Sequence, residues 1–346
     1  MEASSAALRV TVCIVSYRRA AICKRTIDAI FPLLTEEDEL LVIEQGGCEL
    51  VEYCRSYSSD RIRGYQLALP SLVRARNCGI QRARGQVIVF VDDDVEPSPS
   101  LIEAHWAAYR DPKVAAVAGR ILSPSTKSPI AAVLSEDRWM DTNFEATEPA
   151  EVAHARGCNM SMRRTALCQI GGFDTGYRPP FFFREDSDVC FRLRAAGHKV
   201  LFVPEAELFH LEASSGGTRA SESSNSAVGA EISMYHHHFC HYRDNLYFIV
   251  KYFRGIGRCK WIARSYRDYV GVSRWPWRLA AKNLCFLAAL GNAFLTKWST
   301  KPPFFDSLPE NAQPAPVDVD FGRPRMQLDF PSEAVSAVNA SARSYM

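Results

Sequence analysis

The sequence predicts an α/β fold in which a Rossmann-like, mostly parallel sheet is flanked by helices. In the amino-terminal part of the chain, β-branched apolar stretches alternate with helical patterns at the spacing of βαβ units. One stretch, Val87–Val91, is apolar at every position, which is typical of a strand covered by helices on both faces. The chain has 346 residues, of which 47% are hydrophobic, so it can bury a full core.

The amino-terminal elements follow from local patterns. In chain order these predict a strand over residues 10–15, a helix over 20–34, strands at 40–43 and 65–67, a helix over 72–84 and the strand at 87–91. Neither GxGxxG nor GxxxxGK(S/T) occurs, which excludes the usual dinucleotide fingerprint and the P-loop. If this half binds a nucleotide, a metal ion is the obvious candidate to meet the phosphate charge.

Three consecutive acids, Asp92, Asp93 and Asp94, follow the apolar strand. Because side chains alternate along an extended backbone, Asp92 and Asp94 should point to one side and Asp93 to the other. Two carboxylates together with phosphate oxygens suit Mg²⁺ or Mn²⁺, and ligands of parallel sheets gather at the carboxyl ends of the strands. The alternative is a solvated acidic turn.

The second strand ends at Glu44, Gln45, Gly46 and Gly47. Two glycines permit a tight turn beside a ligand. The carboxylate of Glu44 and the amide of Gln45 could then bond to a base or a ribose. This turn therefore extends the predicted nucleotide-binding region.

A second acidic cluster opens a predicted helix in the carboxyl-terminal half. Residues 157–162 predict a strand and 164–170 a short helix, and the cluster itself is Glu185, Asp186, Ser187 and Asp188. The helix dipole favours ionised carboxylates at this end, which suits a general base, although plain helix capping is the alternative. A strand at 200–203 then leads to His210 and a Gly- and Ser-rich stretch at 214–219, where a histidine and an arginine could hold metal and diphosphate.

Several of these segments together resemble family 2 glycosyltransferases of the GT-A fold, over about residues 8–253. The resemblance is carried by residues 16–19 (SYRR), 44–47 (EQGG), 75–77 (ARN), 92–94 (DDD), 171–174 (GGFD), 185–188 (EDSD) and His210. It implies an enzyme that transfers a sugar, with inversion, from a nucleotide-sugar donor to an acceptor hydroxyl. Mn²⁺ or Mg²⁺ is the implied cofactor, and the acceptor is a sugar, a lipid-linked molecule or a small molecule.

The resemblance also implies roles for individual residues. Asp92 faces the ribose, Asp94 and His210 lie at the metal, and Asp186 is the catalytic base, with Glu185 beside it. Glu44 stands where the family commonly has an aspartate that contacts the base. Because of this difference, the resemblance does not identify the nucleotide. The remaining predicted contacts are Ser16, Tyr17, Arg18, Arg76 and Asp93 for the donor, and Trp139 and Asn159 for the acceptor.

The resemblance divides the chain into a catalytic domain, residues 1–253, with a nucleotide-binding half (8–120) and an acceptor half (121–253). Residues 254–300 form a basic, aromatic helical extension, and the composition of 301–346 predicts a flexible tail. The apolar stretch 284–295 is shorter than the ~20 residues that span a bilayer. The extension therefore predicts either peripheral membrane contact or helices packed on the catalytic domain.

Charge and cysteine content indicate which partners and which cellular compartment to expect. A net charge of +2 gives no reason to expect a nucleic-acid partner, and eleven scattered cysteines without zinc-like spacing predict a reducing compartment. Residues 1–8 lack the features of a signal peptide, so we expect a cytoplasmic protein, including at the inner face of the membrane. The four histidines at 236–238 and 241 favour helix packing over a metal site.

Two other function classes stay open. A metal-dependent nucleotidyltransferase would favour a glycine-rich loop after the first strand, and residues 16–19 contain no glycine. A catalytically silent sugar-binding module would be expected to lack one of the two acidic clusters, whereas both are present.

Overall fold

The computed structural model describes residues 8–124, 143–179, 182–213, 227–271 and 276–300. Its strands are β1 (Val10–Tyr17), β2 (Asp38–Gln45), β3 (Ile62–Leu67), β4 (Val87–Val91), β5 (Val95–Pro97), β6 (Val114–Leu122), β7 (Ala150–Glu151), β8 (Asn159–Arg163) and β9 (Lys199–His210). Its α-helices are α1 (Ala20–Ile30), α2 (Glu49–Ser56), α3 (Leu72–Arg82), α4 (Leu101–Ala107), α5 (Arg164–Gln169), α6 (Glu185–Ala195), α7 (Ala227–Tyr252), α8 (Gly255–Tyr269) and α9 (Pro276–Ser299).

The described strands form a single sheet with the order β3-β2-β1-β4-β8-β6-β9-β5, and β7 pairs with β9. The first four strands in this order are parallel. β8 runs antiparallel to both of its neighbours, and β6 and β9 form a further parallel pair. The predicted α/β class is confirmed, with the parallel part concentrated in the amino-terminal half.

Two helices and two strands of this region are absent from the sequence prediction: α2, α4, β5 and β6. The sequence of β6 begins with valine and continues mainly with alanine and glycine, VAAVAGRIL, and small residues have little intrinsic β propensity. Its central position in the sheet, between β8 and β9, supplies the stabilisation instead. The predicted helix at 20–34 ends earlier, at Ile30, and a 3₁₀ turn containing Pro32 follows it.

β9 is longer than its predicted four residues because its pairing with neighbouring strands continues beyond Val203. It pairs with β6 from Lys199 to Val203 and again from Glu207 to Phe209, and residues Leu208 to His210 also pair with β5. The register against β6 shifts between Val203 and Glu207, and Pro204 lies in this irregular part. A proline has no N–H to donate, so it is tolerated where the ladder is interrupted. The continuation of the strand brings His210 opposite Val95, one residue beyond the triple aspartate.

Gly119 in β6 lies where the backbone of this strand packs closely against Asn159 and Ala206. A Cβ atom there would be 2.3 Å from Nδ2 of Asn159 and 2.4 Å from the carbonyl oxygen of Ala206. Asn159 is fully buried, so its amide has little freedom to move away. This position therefore requires glycine for steric reasons.

We expect Gly119→Ala to lower the free energy of unfolding by ~1–3 kcal/mol or more, because an extra methyl group overpacks the site. Gly291→Ala in α9 is the matched control, since a Cβ there meets no atom within 4 Å. In a helix interior this control should raise stability by ~0.5–1 kcal/mol. Urea denaturation of both variants measures the difference, and equal stabilities would contradict the steric argument.

The carboxyl-terminal helices pack on the catalytic half through α7. Lys251, near the end of α7, donates to Asp174 and to Asp188, each at 2.5 Å. α9 packs along α7, with the rings of Tyr242 and Phe286 5.8 Å apart. The predicted helical extension is thus present.

By length and composition alone, α9 is the one described helix that is long and apolar enough to cross a membrane. The expectation of a stretch too short to span is wrong on length, because the helix extends beyond residues 284–295 at both ends.

Candidate active site

The metal cluster predicted at the end of β4 is formed by side chains from two strands. Asp92 and Asp94 follow β4, and the pairing of β5 with β9 places His210 beside them. One potential ligand atom from each of the three residues lies within 4.8 Å of the others. Nε2 of His210 is 3.2 Å from Oδ1 of Asp94 and 3.7 Å from Oδ2 of Asp92.

The donor atoms of this cluster fit a divalent cation. Oδ2 of the buried Asp94 accepts a hydrogen bond from the main-chain N–H of Ala213 at 2.9 Å. Oδ1 accepts none of good geometry, although Nε2 of His210 lies close to it. A buried carboxylate oxygen without a donor is unfavourable, and a cation satisfies it. Two carboxylates and an imidazole suit Mn²⁺, and the carboxylates alone suit Mg²⁺.

Negative charge is concentrated at this cluster. Burial lowers the pKa of His210, but hydrogen bonds and charge from Asp92 and Asp94 outweigh it and raise the pKa to about 10. Burial acts to raise the pKa of Asp94, and the contacts from His210, Ala213 and Arg19 bring it below its ordinary value. Asp94 therefore presents an ionised carboxylate where a cation would bind.

Asp93 is not one of the three residues of this cluster. Its carboxylate accepts hydrogen bonds from Oγ of Ser16 at 2.6 Å and from Nη1 of Arg19 at 3.0 Å. Burial is the main reason that its pKa rises to about 6. Ser16 and Asp93 thus bind each other in the interior, and their contact with a donor stays a prediction.

Glu44 is held inside the protein by the helix that follows it. Its Oε2 accepts the main-chain N–H groups of Leu50 at 2.9 Å and Val51 at 3.3 Å, at the start of α2. The carboxylate therefore caps a helix, and its predicted contact with a base is untested. Tyr17 and the exposed Arg18 lie at the end of β1, with the guanidinium carbon 5.2 Å from the ring centroid. Arg18 has a φ of 55°, a left-handed conformation that is uncommon outside glycine.

The proposed base, Asp186, lies in the first turn of α6. Its Oδ2 accepts the main-chain N–H of Gly157 at 3.1 Å, and its Oδ1 accepts the N–H of Ser187 at 2.6 Å. The residue before the helix, Arg184, has a φ of 79°. The carboxylate is half-buried and oriented by main-chain groups from two different elements.

Arg76 connects the two acidic clusters. Its guanidinium is buried, donates to Oε1 of Glu185 at 2.8 Å, and interacts electrostatically with Asp92 and Asp186. Gly157 allows this close packing, because a Cβ atom there would be 2.3 Å from Nη2 of Arg76. The arginine therefore lies between the predicted metal ligands and the predicted base.

Glu185 gives the site a pH dependence of stability. Burial raises the pKa of its carboxyl group to about 8, the charge of Asp186 acts in the same direction, and Arg76 opposes the shift. The contact with Arg76 favours the ionised form of Glu185. Burial and the charge of Asp186 together favour the protonated form more strongly. Below its ordinary pKa of 4.5 the group is protonated in both states, and between 4.5 and about 8 only the folded state keeps the proton. The stability that it contributes is therefore lost as the pH rises through this window.

We expect Glu185→Gln to flatten the dependence of stability on pH. Between pH 4.5 and about pH 8, the free energy of unfolding of the wild type should fall more than that of the variant. Only in the wild type does unfolding release this proton. Urea denaturation at several pH values gives both curves. Parallel curves for the two proteins would rule out a raised pKa at Glu185.

One cavity contains residues of both acidic clusters. It has a volume of about 440 Å³, and its lining includes Asp92, Arg76, Glu185 and Asp186. The structure thus brings together residues that are almost a hundred positions apart in the sequence. Asp94 and His210 adjoin this cavity through Asp92.

Of the two predicted acceptor residues, Asn159 and Trp139, the structure describes Asn159. Asn159 is fully buried: its Nδ2 donates to the carbonyl oxygens of Arg120 and Ala206 at 2.8 Å each, and its Oδ1 lies 2.9 Å from Nε2 of His105. Its amide is fully used within the fold. Trp139 lies outside the described residues, as do the stretch at 214–219 and the predicted tail, 301–346.

The cavity also contains residues that the sequence reasoning missed. These are Leu72, Phe144, His154, Arg156, Cys158, Phe182, Phe183 and Arg184. The aromatic residues directly before the second acidic cluster were the available signal, since an apolar wall beside a charged group is typical of a binding site. His241 packs against Phe183 at 4.1 Å between centroids, in agreement with a packing role for that histidine.

Comparison with known proteins agrees with this arrangement. Residues 11–171 match the profile of glycosyl transferase family 2. A pre-mycofactocin glycosyltransferase of Mycobacterium tuberculosis is 29% identical over 140 residues, which cover 39% of this chain and 29% of that protein. An N-acetylglucosaminyl-diphospho-decaprenol L-rhamnosyltransferase of the same species is 30% identical over 156 residues, 38% of this chain and 48% of that protein.

A more distant relative is aligned over a longer segment. A glucosyl-dolichyl phosphate glucuronosyltransferase of Haloferax volcanii is 23% identical over 219 residues, 58% of this chain and 68% of that protein. The alignments with an uncharacterized protein of Sinorhizobium fredii and with the pre-mycofactocin enzyme span 22% and 29% of those proteins' lengths.

The fold has a solved counterpart. The crystal structure of GalNAc-T7 with UDP, GalNAc and Mn²⁺ superposes with a TM-score of 0.51 at 16% identity, over 80% of this chain and 56% of that one. The sheet order, the family match and this likeness support one another. The chain therefore has a GT-A-like fold, and its residues 11–171 are similar to glycosyl transferase family 2.

Proposed function

We propose that this chain is a divalent-cation-dependent, inverting glycosyltransferase that uses a nucleoside-diphosphate sugar, with Asp186 as the general base. One observation carries the proposal: Asp92 of the metal cluster and Asp186 line the same cavity, with Arg76 between them. Inverting transfer needs negative charge at the departing diphosphate to be neutralised on one side of the sugar and a base on the other. The cavity offers groups for both tasks.

Asp186 takes the proton of the acceptor hydroxyl as that oxygen attacks the anomeric carbon of the donor sugar. The N–H groups of Gly157 and Ser187 fix the orientation of its carboxylate, so that lone pairs not used by these bonds can face the cavity. Attack from the face opposite the leaving diphosphate inverts the anomeric configuration. A base of this kind typically contributes ~10²–10⁴ in rate.

Asp92, Asp94 and His210 are the residues that would hold the cation. When bound, Mn²⁺ or Mg²⁺ supplies Lewis-acid stabilisation of the charge on the leaving diphosphate. The crystal structure of the neighbour GalNAc-T7 holds UDP and Mn²⁺, which supports a nucleotide donor and a divalent cation here. The names of two relatives include a polyprenyl phosphate or diphosphate, which supports a lipid-linked acceptor.

The purified chain tests this proposal when it is incubated with UDP-, GDP- and dTDP-sugars in the presence of Mn²⁺, of Mg²⁺ or of EDTA. We expect release of a nucleoside diphosphate from one donor class, dependent on the cation, and a product of inverted configuration by NMR. Release of pyrophosphate would instead indicate a nucleotidyltransferase. Binding of a donor without any turnover would indicate a silent sugar-binding module.

We further propose that residues 8–253 carry catalysis and that 254–300 contact an anionic membrane surface peripherally. Leu284, Leu287, Leu295 and Trp298 of α9 are exposed, while Phe286 and Ala289 face the protein. Residues 251–300 contain ten Lys or Arg and a single acid, Asp268. Apolar side chains beside cations suit the boundary of an anionic bilayer. All eleven cysteines are free thiols, which supports a reducing compartment and so a cytoplasmic location.

Replacing both Leu284 and Leu287 with Glu is expected to weaken binding to vesicles that contain phosphatidylglycerol by at least tenfold, because burying one leucine contributes ~1.5–3 kcal/mol. Co-sedimentation with these vesicles measures the bound fraction. Leu69→Glu is the matched control, since Leu69 is 77% exposed and lies outside the extension. Equal binding of the wild type and the double variant would refute membrane contact through this face.

A further inference from the structure

The wall of the cavity behind Asp186 combines aromatic rings with two arginines. The guanidinium carbon of Arg156 lies 5.5 Å from the ring centroid of Phe144, and that of Arg184 lies 4.5 Å from the centroid of Phe183. All four residues line the cavity. Such stacking holds a guanidinium in place while its N–H groups stay available at the edges.

Arg156 carries a positive charge that its surroundings do not neutralise. It is exposed, and within the described ranges no carboxylate forms an ion pair with it. By contrast, Arg76 in the same cavity is buried and donates a hydrogen bond to Oε1 of Glu185 at 2.8 Å. Arg184 donates through Nε to the amide of Asn245 at 3.2 Å.

The chain connectivity places both arginines on the side of the base. Arg156 precedes Gly157, whose N–H binds Asp186, and Arg184 lies two residues before Asp186. Both also act on the buried His154, whose pKa falls to about 4 mainly through burial, with the two guanidinium groups lowering it and Asp186 raising it. The donor diphosphate belongs at Asp92, Asp94 and His210, beyond Arg76.

We propose that Arg156, assisted by Arg184, binds a phosphate group of the acceptor, so that the acceptor is a phosphorylated molecule. This inference rests on the proposed function, because it assigns the side of the cavity next to Asp186 to the acceptor. A guanidinium binds a phosphate through two parallel N–H bonds, which fixes orientation as well as distance. Arg156 thereby brings the acceptor hydroxyl to the carboxylate. The same chemistry suits a lipid-linked phosphate and a free sugar phosphate.

Anion binding can be measured without turnover. Calorimetry with inorganic phosphate in EDTA avoids cation-mediated binding at the Asp94 cluster. We expect Arg156→Gln to weaken phosphate binding at least tenfold. Arg156→Lys should retain part of the affinity, because lysine keeps the positive charge but lacks the two parallel N–H groups of the guanidinium. Arg110→Gln is the matched control, since Arg110 is exposed and lies outside the cavity lining. Wild-type affinity in Arg156→Gln, or no binding to the wild type, would overturn the proposal.

Octyl phosphate distinguishes the two sources of the phosphate. Tighter binding of octyl phosphate than of inorganic phosphate, in both cases dependent on Arg156, indicates a lipid-linked acceptor. Equal affinity indicates a soluble phosphorylated acceptor. Failure of this inference is separable from failure of the proposed function, because cation-dependent release of nucleotide from a donor needs no acceptor phosphate.

Discussion

Asp186→Asn is expected to reduce sugar transfer by ~10²–10⁴ while donor affinity stays close to that of the wild type. The amide has the size of the carboxylate, and its single oxygen can keep one of the two main-chain contacts, from Gly157 or from Ser187. It cannot take up the proton of the acceptor hydroxyl at neutral pH. The rate therefore falls because proton transfer is lost, and the cavity keeps its shape. Initial rates of transfer and calorimetric titration with the donor measure the two quantities separately.

Asp60→Asn is the matched control for this substitution, since it makes the same chemical change at an exposed acid outside the cavity. The control should transfer sugar at the wild-type rate. Wild-type turnover in Asp186→Asn would remove this residue from the role of base. A loss of donor binding equal to the loss of rate would instead place Asp186 among the donor contacts.

Asp94→Asn is expected to reduce the affinity for Mn²⁺ by more than the ~10–100-fold that loss of an outer-shell partner typically costs. Asp94 supplies a buried oxygen without a hydrogen bond of good geometry, and the amide replaces a negative ligand by a neutral one. The side chain keeps its size, so the contact with Ala213 can persist. Calorimetric titration with Mn²⁺, with no donor present, measures the change directly.

The control for the metal site is Asp111→Asn, which also removes one negative charge but at an exposed position outside the cluster. It should bind Mn²⁺ like the wild type. If Asp94→Asn keeps wild-type affinity for Mn²⁺, the cation site lies elsewhere and the proposed role of the triple aspartate fails.

Local sequence patterns were sufficient for the parts of the site that lie at the ends of regular elements. The apolar strand before Asp92 predicted where the strand ends, and the alternation of side chains predicted that Asp92 and Asp94 lie together. The second acidic cluster was correctly placed at the start of α6. In these cases the backbone geometry of one element fixes where its neighbouring side chains point.

Contacts between distant elements could not be read from local patterns. The hydrogen bond between Arg76 and Glu185 joins residues 109 positions apart, and neither neighbourhood contains a signal for the other. The local sequence did not show that Glu44 accepts the main-chain N–H groups at the start of α2, and its contact with a base stays a prediction. Asn159 lies at the start of β8, and the close approach of Gly119 turns its amide into the interior.

The buried Arg76 interacts electrostatically with both acidic clusters, with Asp92 of the first and with Glu185 and Asp186 of the second. A change of charge at either cluster therefore changes the electrostatic potential at the other. Under the proposed function, we expect donor binding to alter acceptor affinity through this arginine. Thermodynamic reciprocity then requires that acceptor binding alter donor affinity by the same factor.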